Sequence, residues 1–433
     1  MIGPKGDIHV SDASSAARSV ENRDMSVWHR PAVIGAFFRR ITVYCGHRCA
    51  RSIMRHSGRV TEPAQKRVTW TELFFDLVLV FANTQITGLR HADHSWPVVG
   101  LALIVFVPLY WAWVGTSVHA NLHDTDNPID RAGILALALC ALFMALALPQ
   151  AYGARGALFG GAYFALRVIL AGLYFRGRRI TLITPLVSAC VSGPLMLVGG
   201  LVPVPWRTLI WALAAVVDLA TPRVLRSRLA GVNFDADHLV ERFGVFLIIA
   251  LGESVVGIGA TAANAPHLSA DTIGAVTASF VLVGALWWVY FVYATSAIRH
   301  ALATAQIQTD IVRPVLSWGH LSFVGAIIAV SVGLAEVVAD PAARLSQSIA
   351  ALLFGGTALY LATFGYTRYR MFHTWSITRL TAAALTLALL PFAHRIPALA
   401  ALSTLTVLVV ALNVVEWAIV TTRTSGDLPG KRR

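Results

Sequence analysis

The sequence predicts an all-α protein that crosses a lipid bilayer about twelve times, as two parallel six-helix repeats. Of its 433 residues, 56% are hydrophobic and only 13% are charged, about half the charged fraction of an ordinary soluble domain. The mean hydropathy is +0.66. Apolar stretches of roughly 17 or more residues recur, and each can cross about 30 Å of hydrocarbon as a helix. A soluble globule is therefore excluded.

The strongly basic composition does not indicate a nucleic-acid partner. The formal net charge is +13, but the 35 Lys and Arg residues lie mostly in alternate loops rather than on one soluble module. The four cysteines are too few and too scattered for a disulfide framework. Cys45, His47 and Cys49 have no second ligand pair downstream. We expect no metal and no cofactor.

Two basic tails flank the apolar region. Residues 1–67 hold 12 of the 35 basic residues and no segment long enough to cross a membrane. This tail mixes apolar side chains with arginines, so it either lies on an anionic membrane surface or is disordered. Residues 423–433 form a second, shorter basic tail.

Twelve apolar segments lie between the tails, and they divide into two sets of six. The first set falls within residues 68–230 and the second within residues 231–422. The predicted spans are 71–89, 97–118, 131–150, 156–175, 180–201, 206–220, 239–260, 273–298, 314–337, 347–366, 375–392 and 396–421.

The basic residues also predict the orientation. With the amino terminus inside, the inner loops and tails hold 27 of the 35 basic residues, and the outer loops hold five. Basic residues concentrate on the cytoplasmic side of membrane proteins. We therefore expect a protein of the cell membrane, in contact with the lipid bilayer, with both termini in the cytoplasm.

Five short matches recur in the same order in the two sets. The shift between matched positions grows from 169 to 198 residues, as longer loops in the second set would produce. Six spans is an even number, so both copies enter from the same side and form parallel repeats with a cavity at their seam. The matches are Glu72 and Phe74 with Glu241 and Phe243, Trp111 and Trp113 with Trp288 and Tyr290, Arg131 with Arg313, Leu158–Gly161 with Leu353–Gly356, and Val216–Asp218 with Val414–Glu416.

The segment 71–82, TELFFDLVLVFA, with Gln85 a turn later, resembles the signature of the bacterial low temperature requirement protein A family. Asn121 to Asp124, Asp126 and Arg131 continue the resemblance, as do the blocks ERFG at 241–244 and LGES at 251–254. It covers roughly residues 67–422 and implies a multi-pass membrane protein required for growth in the cold, with no biochemical activity attached. Asn127 and Pro128 depart from the pattern, which has a further acidic residue there.

Acids inside the spans are the first functional candidates, because ionisable groups in hydrocarbon are costly and are retained when paired or facing water. Glu72 and Asp76 share one face of the first span, and Asn83 lies on the same stripe. Thr69-x-x-Glu72 is also a capping box, which gives Glu72 a structural alternative. Asp76 lies one turn deeper, so we expect a functional role or a buried ion pair for it.

Glu253 is the acid that capping cannot explain. It follows Glu241, itself in a first turn, by twelve residues, which is about 18 Å along a helix and past the middle of the membrane. Its structural alternative is an ion pair or hydrogen bond with an arginine such as Arg167. The predicted substrate or proton pathway consists of Glu253, Asp76, Glu72, Glu241, Asn83 and Arg242.

Two further groups are secondary candidates. Asp218 and Glu416 occupy equivalent places in the sixth and twelfth spans, where we expect them to reach toward the interface. A polar cluster ends the second span, and its His119-x-x-x-x-Asp124 spacing is the one that membrane acyltransferases use. Its composition also suits metal ligation or a simple turn. The cluster contains His119, Asn121, His123, Asp124, Asp126 and Asp130, and Arg131 beside it is a further secondary candidate.

The leading hypothesis is a secondary carrier coupled to protons or ions and not an enzyme, in which two bundles rock about a central site bearing Glu253 and Asp76. One alternative is a membrane enzyme that uses His119 and Asp124. The other is a membrane sensor or scaffold in which the acids lock helices together. The sequence specifies neither the solute nor the oligomeric state.

Overall fold

A computed structural model describes residues 66–91, 96–176 and 183–426. Within these residues every regular element is a helix, and there is no strand; one isolated bridge joins Arg344 and Pro397. The predicted amino-terminal tail up to residue 65 and the chain beyond residue 426 lie outside the described residues.

Twelve helices, several of them interrupted by tighter or wider turns, follow one another along the described chain. The first set consists of α1 (Trp70–His91), α2 (Trp96–Leu122), α3 (Pro128–Gln150), α4 (Gly156–Arg176), α5 (Ile183–Val187, Ser188–Ser192 and Gly193–Leu201) and α6 (Trp206–Val224). The second set consists of α7 (Ala236–Ala263), α8 (Ala270–Thr304), α9 (Thr309–Ala339), α10 (Gln347–Phe372), α11 (Ile377–Ala393) and α12 (Ala398–Gly426).

Nine of these helices are long and apolar enough to cross a membrane, within the residues described. The other three are α1, α6 and α11. Charged side chains lower the hydropathy of α1, which contains Glu72 and Asp76, and of α6, which contains Arg207 and Asp218. Helix α11 has only 17 residues. The expectation of twelve spans is therefore supported for nine helices.

The outer faces of the helices carry large apolar side chains. Leu139 is 52% exposed, Phe280 61% and Val407 68%. A water-soluble monomer seldom exposes so many large apolar side chains together. The pattern is the one that contact with lipid tails requires.

Polar caps fix where several helices begin. Asn127 accepts a hydrogen bond from the Asp130 amide, and Pro128 follows at the first position of α3. The two residues that depart from the family pattern therefore start this helix. In the same way Asp235 accepts from the His238 amide and starts α7.

Ion pairs join several helix ends on one side of the protein. Arg176 of α4 pairs with Asp130 of α3, Arg226 with Asp310 of α9 (2.6 Å), and Arg299 of α8 with Asp237 of α7 (2.5 Å). We call this side the arginine-rich end; it also includes Arg223, Arg313 and Arg370.

The two sets meet where α1 packs against α7 and α9, and where α2 packs against α7. Along this seam Trp113 of α2 lies edge-on to Phe243 (ring centroids 4.8 Å apart) and stacks on Phe246 (4.2 Å) of α7. Tyr110 of α2 donates a hydrogen bond to the Ser317 carbonyl of α9 (2.7 Å). The seam is thus a closely packed aromatic core into which α1 brings its acids.

Candidate functional site

A buried charge cluster lies where α1 and α7 cross. The Arg242 guanidinium of α7 binds the Asp76 carboxylate of α1 in a bidentate manner, through Nη1 to Oδ2 (2.6 Å) and Nη2 to Oδ1 (3.0 Å). Its Nε lies 3.2 Å from Oε2 of Glu72. None of the three residues is more than 1% exposed. The sequence-predicted trio Glu72, Asp76 and Arg242 therefore forms one site.

Helix α2 closes the cluster on its other side. The indole nitrogen of Trp113 donates to Oδ1 of Asp76 (2.8 Å), and the hydroxyl oxygen of Ser117 accepts from Nη2 of Arg242 (3.4 Å). The Arg242 guanidinium also lies over the Trp113 ring, 5.6 Å from its centroid. Trp113 and Ser117 belong to the site although neither is a candidate in the sequence, where Trp113 stands out only as one of the matched positions.

Glu72 has two roles. Its Oε1 accepts from the Thr69 amide (3.2 Å) and hydroxyl (2.9 Å), so the predicted capping box is confirmed. Its Oε2 lies within 3.2 Å of both Arg242 and His238. Capping and ion pairing are therefore not alternatives here, since each uses a different carboxylate oxygen.

The surroundings of His238 fix its tautomer. The Asn121 amide is oriented by the backbone of Asp235, whose carbonyl accepts from Nδ2 (2.9 Å) and whose N–H donates to Oδ1 (3.1 Å). The same Nδ2 lies 3.1 Å from Nδ1 of His238, which must therefore accept. The ring proton is on Nε2, which faces Glu72.

The charges of the cluster do not balance. Two carboxylates, those of Glu72 and Asp76, face one guanidinium, that of Arg242. An uncompensated charge away from water is costly. The two acids therefore require a further positive charge, from a neighbouring cation or from a proton on one of them.

Lys66 supplies positive charge near the same acids from outside the helices. Its ammonium donates to the carbonyls that end α2, those of Ala120, Asn121 (3.0 Å) and His123 (2.5 Å). Burial lowers the pKa of Lys66, and the Glu72 carboxylate acts in the opposite direction. Lys66 therefore binds the last turn of α2 and also places a positive charge near Glu72.

Glu253 lies on the same seam but in a separate place. Its Oε2 accepts from the Thr84 hydroxyl of α1 (2.8 Å), and the residue is 6% exposed. It follows Arg242 by eleven residues, about 16 Å along α7. Asn83, next to Thr84, is also buried. Arg167, the partner named for its structural alternative, pairs with Asp218 instead.

Arg167 and Asp218 form a second buried cluster, between α4 and α6. The Tyr163 hydroxyl accepts from Nε (2.8 Å) and Nη2 (2.7 Å) of Arg167 and donates to Asp218. Asp218 also accepts from Ser188 and Ser192 of α5 (both 2.7 Å). The expectation that Asp218 reaches the interface is wrong: it is 1% exposed, because three hydroxyls and an arginine solvate it inside the bundle.

Glu416, which matches Asp218 in the second set, also pairs with an arginine, but with one on the neighbouring fifth helix of its set. It binds Arg379 of α11 in a bidentate manner, with both N–O distances at 2.8 Å, and it accepts from Thr378 (2.9 Å). Instead of extending toward the membrane interface, as expected, Glu416 forms an ion pair that joins α12 to the neighbouring α11. Glu241, by contrast, is exposed and lines an open pocket with Lys66 and Arg299.

The polar cluster at the end of α2 is divided between several contacts. His119 lies 3.3 Å from Asp130, whereas Asp124 is exposed and accepts from the Asp126 amide (3.0 Å). Asp126 pairs with Arg131 at the surface (3.0 Å). The expected juxtaposition of His119 with Asp124 is thus replaced by His119 with Asp130, because Asp130 starts α3 directly beside α2. No group of three or more potential metal-ligating side chains is found in the described part of the chain.

Comparison with known proteins now identifies the family. The sequence profile described as bacterial low temperature requirement A protein (LtrA) matches residues 67–414. The chain belongs to this family. A relative from Rhizobium meliloti (strain 1021), described as an uncharacterized protein, is 32% identical over 323 residues, which cover 71% of this chain and 78% of the relative. No solved structure matches the chain. Together with its apolar helices, membership of the LtrA family makes this a multi-pass membrane protein.

Proposed function

We propose that this protein is a secondary carrier of the cell membrane that couples movement of a small solute to protons. The observation that carries the proposal is the cluster of two acids and one arginine, buried at the seam where α1 crosses α7. Ionisable groups buried inside a bundle of membrane helices commonly mark ion or substrate pathways.

The proposal includes twelve spans arranged as two parallel copies. In the first set α1 packs on α2 and α3, and further contacts join α3–α4, α4–α5, α5–α6 and α2–α6. The equivalent pairs also pack in the second set: α7 on α8 and α9, then α9–α10, α10–α11, α11–α12 and α8–α12. A shared neighbour pattern, combined with the matched sequence blocks, supports a duplicated bundle.

The arginine-rich end gives the proposed orientation. Arg176, Arg226 and Arg299 all lie at this end, and basic loops are retained in the cytoplasm. The amino terminus and the end of α12 then also lie on the cytoplasmic side, as the sequence predicts.

The proposed coupling step is protonation of one carboxyl group. With Asp76 and Glu72 both ionised, the cluster carries one excess negative charge and attracts a proton from water in the open seam. With one acid protonated the cluster is neutral, so the two bundles can close around it at a smaller desolvation cost. Release of the proton on the opposite side restores the starting charge. Glu253, farther along α7, is the proposed second proton site on this path.

The geometry does not favour the enzyme alternative, because Asp124 is turned to solvent rather than toward His119. A sensor or scaffold remains as an outcome of the test. In that case the acids only hold helices together, and their neutralisation changes stability without changing any flux.

The proposal is tested with purified protein in liposomes that enclose a pH-sensitive dye. Amino acids, sugars and short carboxylates are added singly at constant external pH, and the internal pH is compared with that of protein-free liposomes, because short carboxylic acids cross a bilayer unaided in their neutral form. We expect at least one solute to drive internal acidification with wild-type protein, and Asp76→Asn to abolish it. Asp271→Asn, which neutralises an exposed acid at the start of α8, is the matched control. Acidification that is equal in Asp76→Asn and wild type would refute the proposed coupling site.

A further inference from the structure

A cavity of about 100 Å³ lies between the two sets at the arginine-rich end. Side chains of α2, α4, α5 and α6 line it from the first set, and side chains of α9 line it from the second. It therefore occupies the seam at which a rocking carrier would hold its solute. The volume is about three times the share of one water molecule in the liquid, ~30 Å³.

Two guanidinium groups line this cavity, those of Arg167 and Arg313. Arg167 uses Nε and Nη2 for Tyr163, whereas its Nη1 makes no hydrogen bond with a described residue. A β-carbon at Gly115, on the cavity wall, would lie 3.2 Å from that Nη1. Nη1 of Arg167 therefore lies beside the cavity wall and is available to donate a hydrogen bond to a ligand.

Arg313 also has an unused donor. Its Nη1 donates weakly to the Pro222 carbonyl (3.4 Å) and its Nη2 lies 3.5 Å from Asp310. Its Nε is buried without a hydrogen-bond partner among the described residues. A buried donor that lacks a partner is uncommon in a folded protein and needs an explanation. Since both Nη contacts are also long, the guanidinium as a whole keeps donor capacity for a bound anion.

The acids near these two arginines are already engaged. Asp218 accepts from Tyr163, Ser188 and Ser192, and it lies 3.6 Å from Arg167. Asp310 is held in a bidentate manner by Arg226. The charges of Arg223 and Arg370 also act on Arg313, so the approach to the cavity is electropositive.

The rest of the lining is mostly apolar and aromatic. Trp111, Leu170, Tyr174 and Phe234 contribute to the walls. An inorganic anion gains nothing from such walls, whereas a short hydrocarbon chain attached to a carboxylate does. The combination of two arginine donors with apolar walls fits a small organic anion.

Local helix geometry helps to place the two cationic walls. Helix α9 is widened to a π-helix over Val312–Gly319, which contains Arg313, and α5 is widened over Ser188–Ser192 beside Arg167 and Asp218. Such widened turns occur often at functional sites. Two of them flank this one cavity.

We infer that the solute of the proposed carrier is a small carboxylate, held through its oxygens by Arg167 and Arg313 with its apolar part against Trp111 and Tyr174. The inference rests on the proposed function where it states that the bound molecule is transported. The binding site itself does not depend on that function. Binding at equilibrium and coupled flux can therefore be measured separately.

The test measures thermal stabilisation of the full-length purified protein in lipid nanodiscs at constant ionic strength. The probes are acetate, propionate and butyrate, with butyramide as the neutral counterpart of butyrate and chloride and phosphate as inorganic anions. We expect at least one carboxylate to raise the unfolding temperature in a saturable manner, and Arg313→Gln to weaken its apparent affinity tenfold or more. Arg368→Gln, an exposed arginine that does not line the cavity, is the matched control.

A second variant guards against a folding defect. Trp111→Ala enlarges the cavity without removing a charge, so it should shift the preference toward longer carboxylates. Equal stabilisation by butyramide or by phosphate, or an unchanged affinity in Arg313→Gln, would overturn the inference. Carboxylate binding without proton flux would leave the site standing and refute the carrier, whereas proton flux driven only by neutral solutes would do the reverse.

Discussion

Thr84 donates a 2.8 Å hydrogen bond to Glu253, and the two residues are 169 positions apart in the chain. Glu72 and Glu241, the first matched pair of the two sets, are separated by the same 169 positions. In a protein built from two parallel copies, equivalent positions touch each other only near the axis that relates them. Glu253 is therefore expected close to that axis, where the seam is shared equally by both bundles.

Glu253→Gln should abolish the pH-dependent uptake of the transported solute, while the protein still inserts and folds. The amide oxygen can still accept from Thr84, but the side chain can no longer take up and release a proton. Uptake by proteoliposomes across a range of pH checks this, with Asp271→Asn as the surface control. Unchanged pH dependence would remove Glu253 from the proton path and leave only the Asp76 cluster.

The charge count of the buried cluster predicts an order of stability for two substitutions. Asp76→Asn leaves Glu72 balanced by Arg242, whereas Arg242→Gln leaves two carboxylates facing each other without a cation. Arg242→Gln should therefore cost about 3–5 kcal/mol of unfolding free energy, the usual effect of leaving a buried charge unpaired. Asp76→Asn should cost less. Equilibrium unfolding in detergent gives both values, and the reverse order would contradict the count.

Asn121 is predicted to be a structural requirement of the same cluster. Asn121→Ala removes both hydrogen bonds to the Asp235 backbone and the donor to His238. A cost of about 1–3 kcal/mol is expected for the polar groups left without partners. Asn264→Ala, at an exposed end of α7, serves as the control in the same unfolding measurement. A cost no larger than that of Asn264→Ala would mean that Asn121 does not fix the His238 ring.

The ion pair of Arg379 with Glu416 should show energetic coupling. Arg379→Gln and Glu416→Gln each break the same bidentate contact, so the double variant should cost less than the sum of the single variants. A difference of about 0.5–3 kcal/mol is expected from unfolding measurements on all four proteins. Additive costs would show that the two side chains stabilise α11 and α12 independently.

Local patterns predicted most of the helices and part of the site. Thr69 and Glu72 are three residues apart, so the capping box could be recognised without knowing any neighbouring helix. The burial of Asp76 followed in the same way, from its position one turn inside an apolar segment. These features depend on spacing along one helix, which the sequence states directly.

Contacts between distant helices could not be predicted from spacing. Asp218 was expected near the interface because nothing in its own segment indicates Tyr163 or the two serines of α5. For the same reason the sequence indicates Asp124 as the partner of His119, whereas the structure has Asp130. The observed contact depends on how α3 begins beside α2. The spacing of apolar residues does not reveal the widened turns either. In α5, however, Ser188 and Ser192 are two serines four residues apart inside an apolar segment, and this was a usable sign.

The proton to solute ratio of transport tests the central claim most directly. It is obtained by measuring solute entry and internal acidification together in liposomes that contain wild-type protein or Asp76→Asn at equal insertion. The account predicts a fixed ratio near one for wild type, since the cluster lacks a single positive charge, and no proton entry with Asp76→Asn. Solute entry without protons in the wild type, or an unchanged ratio in the variant, would contradict it.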